Sequence, residues 1–428
     1  RVRSAEAAPP GGFLRLEESL EQESLEPCDL LQWLRGVPAG ARRYFRDRGS
    51  KLEIAGDGIA MCAPFGAQDA TTQAGAAGVR AAAWFVAMPF DRARNRDAAW
   101  QPFAGIGCVL PEIELRRDGE RHAMAVNLSE GCDRARLAAR LEALSAPAES
   151  CAIEPALVRE SDGMAEAEWT RAVRDALSRI RSGSLRKIVL ARARRYAASA
   201  RLDPVGVLSR VASRELRGFR FLVEAGDGRS FVGVTPERLV SRVGRVARSE
   251  AVAGTRPRGV DGVADRLLGE SLLASAKDRR EHELVVDRVR EALASRAVSL
   301  RVDAEPRLLR LAYVQHLATR VQAELRAGVT DAELVAALHP TPAVAGAPVA
   351  AATALLREIE PFDRGLYAGP VGVASRDGAE IAVAIRSALI EDDRLTAFAG
   401  AGIVDGSDPA EEWRETGHKL LAFERLAT

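Results

Sequence analysis

Residues 219–243, FRFLVEAGDGRSFVGVTPERLVSRV, decide the fold class. Two runs with the composition of β-strands, FRFLVEA and SFVGVTPERLVSRV, flank the short turn Gly226-Asp227-Gly228, which is typical of a hairpin. Similar apolar runs follow in the last third of the chain: GLYAGPVGVAS, EIAVAIRSALI and LTAFAGAGIV. Strands that follow one another through tight turns predict antiparallel sheet.

Helical patterns lie between these strands. Apolar residues at helical spacing predict helices over residues 169–180 and 270–295. A closing helix begins after Asp408, which can cap it, and Pro409 fits its first position. Strands mixed with helices, without a repeat of fixed period, predict an α+β fold.

The first 150 residues have a less regular pattern of apolar residues, glycine and proline than the rest of the chain. Residues 1–150 mix short strand-like runs with glycine and proline, and they predict an N-terminal α+β half. Residues 145–162 are acidic and rich in small residues, as in a linker. Residues 164–428 hold the clearest helix and strand patterns. We expect the two regions to form one compact body.

Charge and composition exclude several classes of protein. The 428 residues include 61 basic and 60 acidic side chains, a formal charge of +1, which argues against a nucleic-acid binder that works through bulk charge. Five scattered cysteines without CxxC spacing indicate reduced thiols rather than disulfides or a zinc site. The uncharged stretch at residues 340–356 is too short and too interrupted to span a bilayer. We therefore expect a cytoplasmic protein without a membrane partner.

Lys187 opens the run KIVLAR, residues 187–192, in which alternate side chains point to opposite faces of the predicted strand. A lysine at the head of an apolar strand ordinarily marks the solvated end of that strand. The functional alternative is a partly desolvated amine whose lowered pKa lets it accept a proton.

Glu237 lies in VGVTPERLV, where Thr-Pro-Glu after a strand predicts a turn that directs the carboxylate away from the sheet. The ordinary explanation is a surface glutamate. If Glu237 is instead an acid near neutral pH, burial must raise its pKa.

Two predicted helices carry paired carboxylates. Asp278 and Glu281 are three residues apart, Glu412 and Glu415 repeat that spacing, and Lys419 follows one turn later. Either helix alone is explained by a solvated face with ion pairs. If the two faces converge, their carboxylates can bind a hard cation, and magnesium suits such a site because it takes few protein oxygens.

Anion-binding groups are less specific. Arg386 lies in the apolar run AVAIRSAL, where it is either an edge-strand arginine or a well-supported clamp for a carboxylate. The glycine-containing segments GAGIV and AGTR can present backbone N–H groups to an anion, but a lone glycine pattern is weak support.

The sequences of these segments and their order along the chain together resemble the chorismate-utilising enzymes. That family contains isochorismate synthase, salicylate synthase, anthranilate synthase component one and aminodeoxychorismate synthase. The resemblance covers residues 164–428, the expected chorismate-binding catalytic region, and it implies extensive antiparallel sheets flanked by helices around a central active-site cleft. The segments that carry it are KIVLAR, TPERLV, AVAGTR, KDRREHELV, HPTPAVAG, EPFDRGLYAG, AIRSAL, FAGAGIV and EEWRETGHKL.

Residue identities within the family favour isochorismate synthase. Lys187 stands where isochorismate and salicylate synthases place the lysine that activates water, whereas the amine-using members lack a base lysine there. Ala253 replaces the lysine nucleophile of aminodeoxychorismate synthase. HPTPAVAG resembles the isochorismate synthase version of that loop, and its Ala343 and Val344 are associated with stopping before pyruvate elimination.

The resemblance implies a role for each site residue. Lys187 is the general base and Glu237 the general acid. Glu281 and Glu415 bind Mg²⁺, with Asp278 and Glu412 orienting water or ligands around it. The remaining residues contact chorismate: Gly254 and Thr255 beside the leaving hydroxyl, His316 near the enolpyruvyl side chain, and Tyr367, Arg386, Lys419 and the backbone near Gly402 at its carboxylate.

Other functions stay open from the sequence alone. A salicylate synthase would continue to pyruvate and salicylate, an anthranilate synthase large subunit conflicts with Lys187, and a non-catalytic relative would keep the fold without the reaction. The first 150 residues look more like menaquinone-type members than siderophore-type ones. We expect a monomer, because family members without a glutaminase partner often act alone.

Overall fold

The computed structural model describes residues 2, 5–20, 30–67, 71, 73–75, 79–94, 97–144 and 155–426. Cys28, Cys151 and the first part of the predicted linker lie outside the described residues. The helices are α1 Leu30–Trp33, α2 Arg134–Ala143, α3 Glu166–Arg181, α4 Pro204–Arg214, α5 Gly262–Ala274, α6 Ala276–Ala294, α7 Asp331–Leu338, α8 Val349–Ile359 and α9 Pro409–Glu424, with a 3₁₀ helix at Ala98–Phe103.

The strands, in chain order, alternate with these helices. They are β1 Phe13–Leu20, β2 Arg43–Arg46, β3 Leu52–Asp57, β4 Met61–Cys62, β5 Gln73–Ala74, β6 Trp84–Ala87, β7 Cys108–Leu110, β8 Ile113–Asp118, β9 Arg121–Ser129, β10 Leu157–Asp162, β11 Lys187–Ala198, β12 Phe219–Glu224, β13 Arg229–Thr235, β14 Arg238–Val243, β15 Val246–Pro257, β16 Ala297–Val302, β17 Arg307–Arg310, β18 Val314–Leu325, β19 Gly346–Ala347, β20 Pro370–Ser375, β21 Gly378–Val383, β22 Ser387–Glu391 and β23 Arg394–Ile403.

Two sheets contain all of these strands. The larger sheet, thirteen-stranded over the described residues, has the order β10-β11-β23-β22-β13-β12-β2-β3-β8-β9-β1-β5, with β19 beside β11. The smaller sheet, ten-stranded over the same residues, has the order β16-β18-β15-β14-β21-β20-β6-β7-β4, with β17 beside β18. Neighbouring strands run antiparallel, apart from the short parallel pair β1–β5. The predicted α+β fold with extensive antiparallel sheet is confirmed.

The sheets pack against each other through a shared hydrophobic core. Phe13 of the larger sheet meets Trp84 of the smaller sheet edge to face, with ring centroids 6.3 Å apart. Helix α6 packs on β15 and helix α9 packs on β23, so each sheet carries one of the two helices predicted to hold carboxylates. No helix of the described residues is long and apolar enough to cross a bilayer.

Two of the points at which the chain crosses between the sheets are neighbours in space. The chain leaves the larger sheet after Thr235, enters the smaller sheet at Arg238, and returns to the larger sheet between Val383 and Ser387. The Thr235 hydroxyl donates to the carbonyl oxygen of Val383 at 2.6 Å, and the Val383 amide donates to the Glu237 carbonyl at 3.0 Å. These bonds hold the two crossings side by side.

Two predicted elements differ from the observed ones. The single helix over residues 270–295 is wrong: Ser275 has an extended backbone, ends α5 and caps α6 by accepting from the Asp278 amide at 3.3 Å. The run EIAVAIRSALI is two strands in different sheets, because Arg386 between them has a φ of +51°. Apolar periodicity continues through both breaks, so the sequence pattern conceals them.

Candidate active site

One cavity between the two sheets collects every predicted site residue. Its walls come from both sheets, from the two crossings and from helices α6 and α9. The predicted residues that line it are Lys187, Glu237, Gly254, Thr255, Asp278, Glu281, His316, Ala343, Val344, Tyr367, Arg386, Gly402, Glu412, Glu415 and Lys419.

Lys187 is the first residue of β11 and is buried rather than solvated, with a side chain 1% exposed. Its strand is flanked by β23 on one side and the short β19 on the other, which cover both edges of the backbone at that point. The Nζ atom lies 2.9 Å from Oε1 of Glu281. The strand therefore presents a desolvated amine to the cavity, beside a carboxylate.

Glu237 lies at the first of these two crossings, between β13 and β14, and lines the cavity. It is 4% exposed, and burial raises the pKa of its carboxyl to about 8. The positive charges of Lys187 and Lys419 and the nearby Thr341 side chain act against that rise, whereas Glu250 adds to it. At neutral pH the cavity thus holds Glu237 as a neutral carboxylic acid, a proton donor.

Four carboxylates reach the cavity from α6 and α9, and each has a basic partner. Lys277 Nζ lies 3.3 Å from Glu412 Oε1, and Arg256 donates to Asp278 at 2.8 Å. The other two pairs are Lys187 with Glu281 and Lys419 with Glu415, the latter at 2.7 Å. The two helix faces therefore converge, as the hypothesis of a shared cation site requires.

The donor set suits a hard cation. Burial, followed by the negative charge of Glu415, raises the pKa of Glu412 to about 7, and Glu281 adds to this effect, so three carboxylates crowd one region. No three His, Cys, Asp or Glu side chains of the described residues surround a single point as metal ligands. Mg²⁺ commonly takes one or two carboxylates and fills its shell with water and substrate oxygens, which matches this arrangement.

Gly402 provides the space beside this carboxylate group. A Cβ atom at residue 402 would come within 2.5 Å of Glu281 Oε1 and 3.2 Å of Lys187 Cε. Only glycine therefore leaves Glu281 and Lys187 in their observed positions, and the backbone of β23 is exposed to the cavity at this point.

Neutral and positive donors also line the cavity. Burial lowers the pKa of His316 to about 3 and raises that of Tyr367 to about 12, so both side chains are uncharged at neutral pH. His316 Nδ1 lies 3.1 Å from the Gly254 carbonyl, which can only accept, so Nδ1 carries the proton. The buried Arg386 and Lys419, which donates to Gly400 O at 2.8 Å, supply positive charge for an anionic substrate group.

Comparison with known proteins shows the family to which this chain belongs. The sequence profile of the chorismate binding enzyme family matches residues 14–426. This chain is a chorismate binding enzyme. It is 39% identical over 343 residues to the salicylate biosynthesis isochorismate synthase of Pseudomonas aeruginosa, an alignment that covers 78% of this chain and 72% of that one.

Two further chorismate binding enzymes extend the comparison. Isochorismate synthase MenF of Bacillus subtilis is 34% identical over 345 residues, again covering 78% of this chain and 72% of the relative. The solved structure of MenF, the menaquinone-specific isochorismate synthase of Escherichia coli, superposes with a TM-score of 0.83 at 27% identity and covers 99% of this chain and 97% of that one.

Three side chains that matter to this chorismate binding enzyme's cavity received no role from the sequence. Arg256 and Lys277 line it and pair with Asp278 and Glu412. Arg364, buried behind the cavity, donates to the carbonyl oxygens of Val344 and Val189, both at 2.7 Å. All three lie within the recognised segments, but their partners are distant in sequence, so only the fold reveals the contacts.

Glu360 completes the support around Arg364. Its Oε2 accepts from Arg364 Nε at 2.8 Å, and its Oε1 accepts from the Ala191 amide at 2.9 Å. This buried ion pair therefore connects the Lys187 strand to the loop that carries Ala343 and Val344.

Proposed function

We propose that this chain is an isochorismate synthase, which converts chorismate reversibly to isochorismate with Mg²⁺. The observation that carries the proposal is the pairing, in one buried cavity, of the Lys187 amine with a Glu237 carboxyl whose pKa is raised to about 8. An exchange of hydroxyl position needs both a base for water and an acid for the departing hydroxyl.

The reaction assigned to these two residues balances in protons and electrons. Lys187, as the neutral amine, takes a proton from water while the water oxygen forms a bond to C2 of the cyclohexadiene ring. The ring double bonds shift, the C4–O bond breaks, and Glu237 gives its proton to the departing hydroxyl, which leaves as water. Substrate and product are isomers, and the reverse reaction uses the same two groups with exchanged roles.

The remaining cavity residues position the substrate. Glu281 and Glu415 would hold Mg²⁺, and Asp278 and Glu412 would orient water or ligands around it. The cation, when bound, supplies a positive charge for the ring carboxylate of chorismate. Gly254 would form the wall beside the leaving hydroxyl.

A separate group of side chains fits the enolpyruvyl end. Arg386, Lys419 and the neutral Tyr367 hydroxyl are donors for its carboxylate, with the backbone near Gly402 beside them. The neutral His316 lines the pocket near this side chain and contacts Thr255, whose Oγ1 lies 3.1 Å from Nδ1. Ala343 and Val344 line the cavity in the loop that the family resemblance associates with stopping before pyruvate elimination, and this supports a reaction that ends at isochorismate.

The direct test is incubation with chorismate, with and without Mg²⁺, followed by chromatography. We expect isochorismate that requires Mg²⁺, without pyruvate. Stoichiometric pyruvate would instead identify a salicylate synthase, and unchanged chorismate at all Mg²⁺ concentrations would identify a non-catalytic relative. Lys187→Ala is the internal control, because a parent and variant that convert chorismate equally well contradict the assignment of the base.

We further propose a cytoplasmic monomer that serves menaquinone synthesis. The support is the likeness to the menaquinone-specific enzyme over 99% of this chain, although the P. aeruginosa relative belongs to salicylate biosynthesis. Deleting the gene and measuring menaquinone and catecholate or salicylate siderophores separates the two pathways. Sedimentation of the purified protein decides its oligomeric state.

A further inference from the structure

The turn that carries Glu237 is held from behind by a residue of the N-terminal half. Arg48 lies between β2 and β3, and its side chain is 16% exposed. Its Nη1 donates to the carbonyl oxygen of Pro236 at 2.9 Å, and its Nη2 donates to Glu250 Oε1 at 2.7 Å. Pro236 directly precedes Glu237, so Arg48 fixes the peptide group that joins Pro236 to the proposed acid.

Glu250 anchors this arginine from the smaller sheet. It lies in β15 with a side chain 4% exposed, and its Oε1 also accepts from Arg307 Nη2 at 3.2 Å. Arg238, the residue after Glu237, lies 3.8 Å from the same oxygen and donates to Glu380 at 2.7 Å. Both neighbours of Glu237 are thus fixed by one group of ionic contacts.

The crossing needs such support because of its own sequence. Pro236 has no N–H to donate, and it lies between the end of one sheet ladder and the start of another. Without Arg48, its carbonyl would lose a charge-assisted hydrogen bond in a largely buried place. A displacement of about 1 Å in a reacting group is enough to lower a rate by about a hundredfold.

The same contacts set the charge around Glu237. The groups that act on its carboxyl are Lys187 of β11, Lys419 of α9, Thr341 of the loop after α7 and Glu250 of β15. The Glu250 carboxylate raises the pKa of Glu237, while the two lysines lower it. A change at Glu250 therefore alters the electric field at the acid, and Arg48 is an ion-pair partner that balances the charge of Glu250.

We propose that Arg48 and Glu250 are positioning residues for the reaction: together they fix the Pro236–Glu237 turn so that the acid faces the substrate. This inference rests on the proposed function, since it assigns these residues to the reaction of that same cavity. It also gives the N-terminal half an indirect part in catalysis, although no residue before Lys187 lies among the assigned acid, base or metal ligands.

The first arm of the test measures rate constants for Arg48→Ala and Arg48→Lys in Mg²⁺-saturated enzyme. We expect kcat of Arg48→Ala to fall at least about tenfold with KM changed less than about twofold, because the substrate contacts are intact. Lysine keeps the charge but cannot serve both acceptors with a planar fork, so Arg48→Lys is expected to lie between the parent and Arg48→Ala.

The second arm measures the pH dependence of kcat/KM. The loss of a merely structural contact would not shift this dependence in a direction set by the sign of the charge removed. Glu250→Gln removes a negative charge and is expected to move the alkaline limb of kcat/KM to lower pH. Arg48→Gln removes a positive charge beside Glu250 and is expected to move that limb to higher pH. Opposite displacements support the inference; identical or absent displacements overturn it.

Arg307→Gln is the matched control. Arg307 also donates to Glu250 but has no contact with Pro236, and its side chain is more exposed, at 35%. We expect its kcat to stay near that of the parent. If Arg307→Gln and Arg48→Ala lower kcat equally, the effect comes from the ionic group in general and the inference is wrong.

Folding and function are kept apart in the same series. Circular dichroism identifies any variant that fails to fold, and in that case Arg48→Lys decides the first arm. If the parent does not convert chorismate, the proposed function itself fails. If the parent converts chorismate and Glu237→Gln does not, while folded Arg48 variants match the parent, then only the positioning role is rejected.

Discussion

Two residues of this cavity have opposite roles in proton transfer, Lys187 as the proposed base and Glu237 as the proposed acid. Lys187 and Glu237 are both buried, and each lies where a charged neighbour acts on it: Glu281 at 2.9 Å for the lysine and Lys187 itself for the acid. Burial raises the pKa of Glu237 to about 8 and so favours its neutral form at neutral pH. The raised pKa suits a general acid that must start the reaction protonated.

Replacing Lys187 tests the base. We expect Lys187→Ala to lower kcat by at least about a hundredfold, the usual contribution of general base catalysis. Lys187→Met, which fills the same space without an amine, should behave alike. Steady-state assays with chorismate measure the loss, and unchanged urea unfolding of the methionine variant would show that packing is preserved.

Glu237 predicts a signed dependence on pH. Because its pKa is about 8, the acid form is lost as the pH rises through that value, so kcat/KM should fall on the alkaline side. The raised pKa also means that the folded protein loses stability as pH rises from the ordinary value of 4.5 towards 8, since the unfolded chain releases the proton first.

Glu237→Gln separates these two effects. It should abolish most activity at every pH, yet unfold at a higher urea concentration than the parent at pH 9, because the amide has no proton to release. A variant less stable than the parent at pH 9 would contradict the raised pKa. Unfolding at pH 4, where both side chains are neutral, provides the reference.

The helices and strands determine which residues come together, and the sequence predicts most, but not all, of these elements and contacts. The nine recognised segments contain fourteen of the fifteen predicted site residues, all except His316, and the structure brings all fifteen to one cavity. The sequence pattern did not predict the breaks at Ser275 and at Arg386, because the chain changes direction there while its apolar periodicity continues. Contacts such as Arg48 with Pro236 join residues 188 positions apart, which no local spacing can indicate.

The buried pair Arg364–Glu360 predicts a large effect on stability. Arg364→Met leaves Glu360 charged, 3% exposed and without its main partner, which typically costs about 3–5 kcal/mol. Urea unfolding measures this loss. The double variant with Glu360→Gln should recover part of it, because no unpaired charge remains; equal stability of parent and Arg364→Met would show that the pair contributes little.

The close approach of β23 to helix α6 predicts a magnesium effect. In Gly402→Ala the new Cβ displaces Glu281, so we expect a requirement for about tenfold more Mg²⁺ at half-maximal activity. Gly262→Ala is the matched control, because nothing lies within 4 Å of a Cβ placed there. An unchanged Mg²⁺ requirement in Gly402→Ala would argue against Glu281 as a ligand.

The whole molecule is built from strands of both halves within each sheet. In the larger sheet β12 pairs with β2, and in the smaller sheet β20 pairs with β6. Residues 164–428 alone would therefore expose sheet edges at β12 and β20. We expect that fragment to be insoluble when expressed by itself and to become soluble when residues 1–150 are co-expressed; a soluble, active fragment would show that the regions fold independently.

The two side-by-side crossings have a consequence for how this chemistry can change. Glu237 lies in a segment that crosses between the sheets, whereas Lys187 belongs to the larger sheet, so a change in the packing of the two sheets would change the distance between these residues. Larger or smaller core side chains between the two sheets would change the spacing of the sheets, and therefore that distance, without contacting the substrate. Divergence in reaction outcome can then begin with a change of volume in the interior, far from any ionisable group.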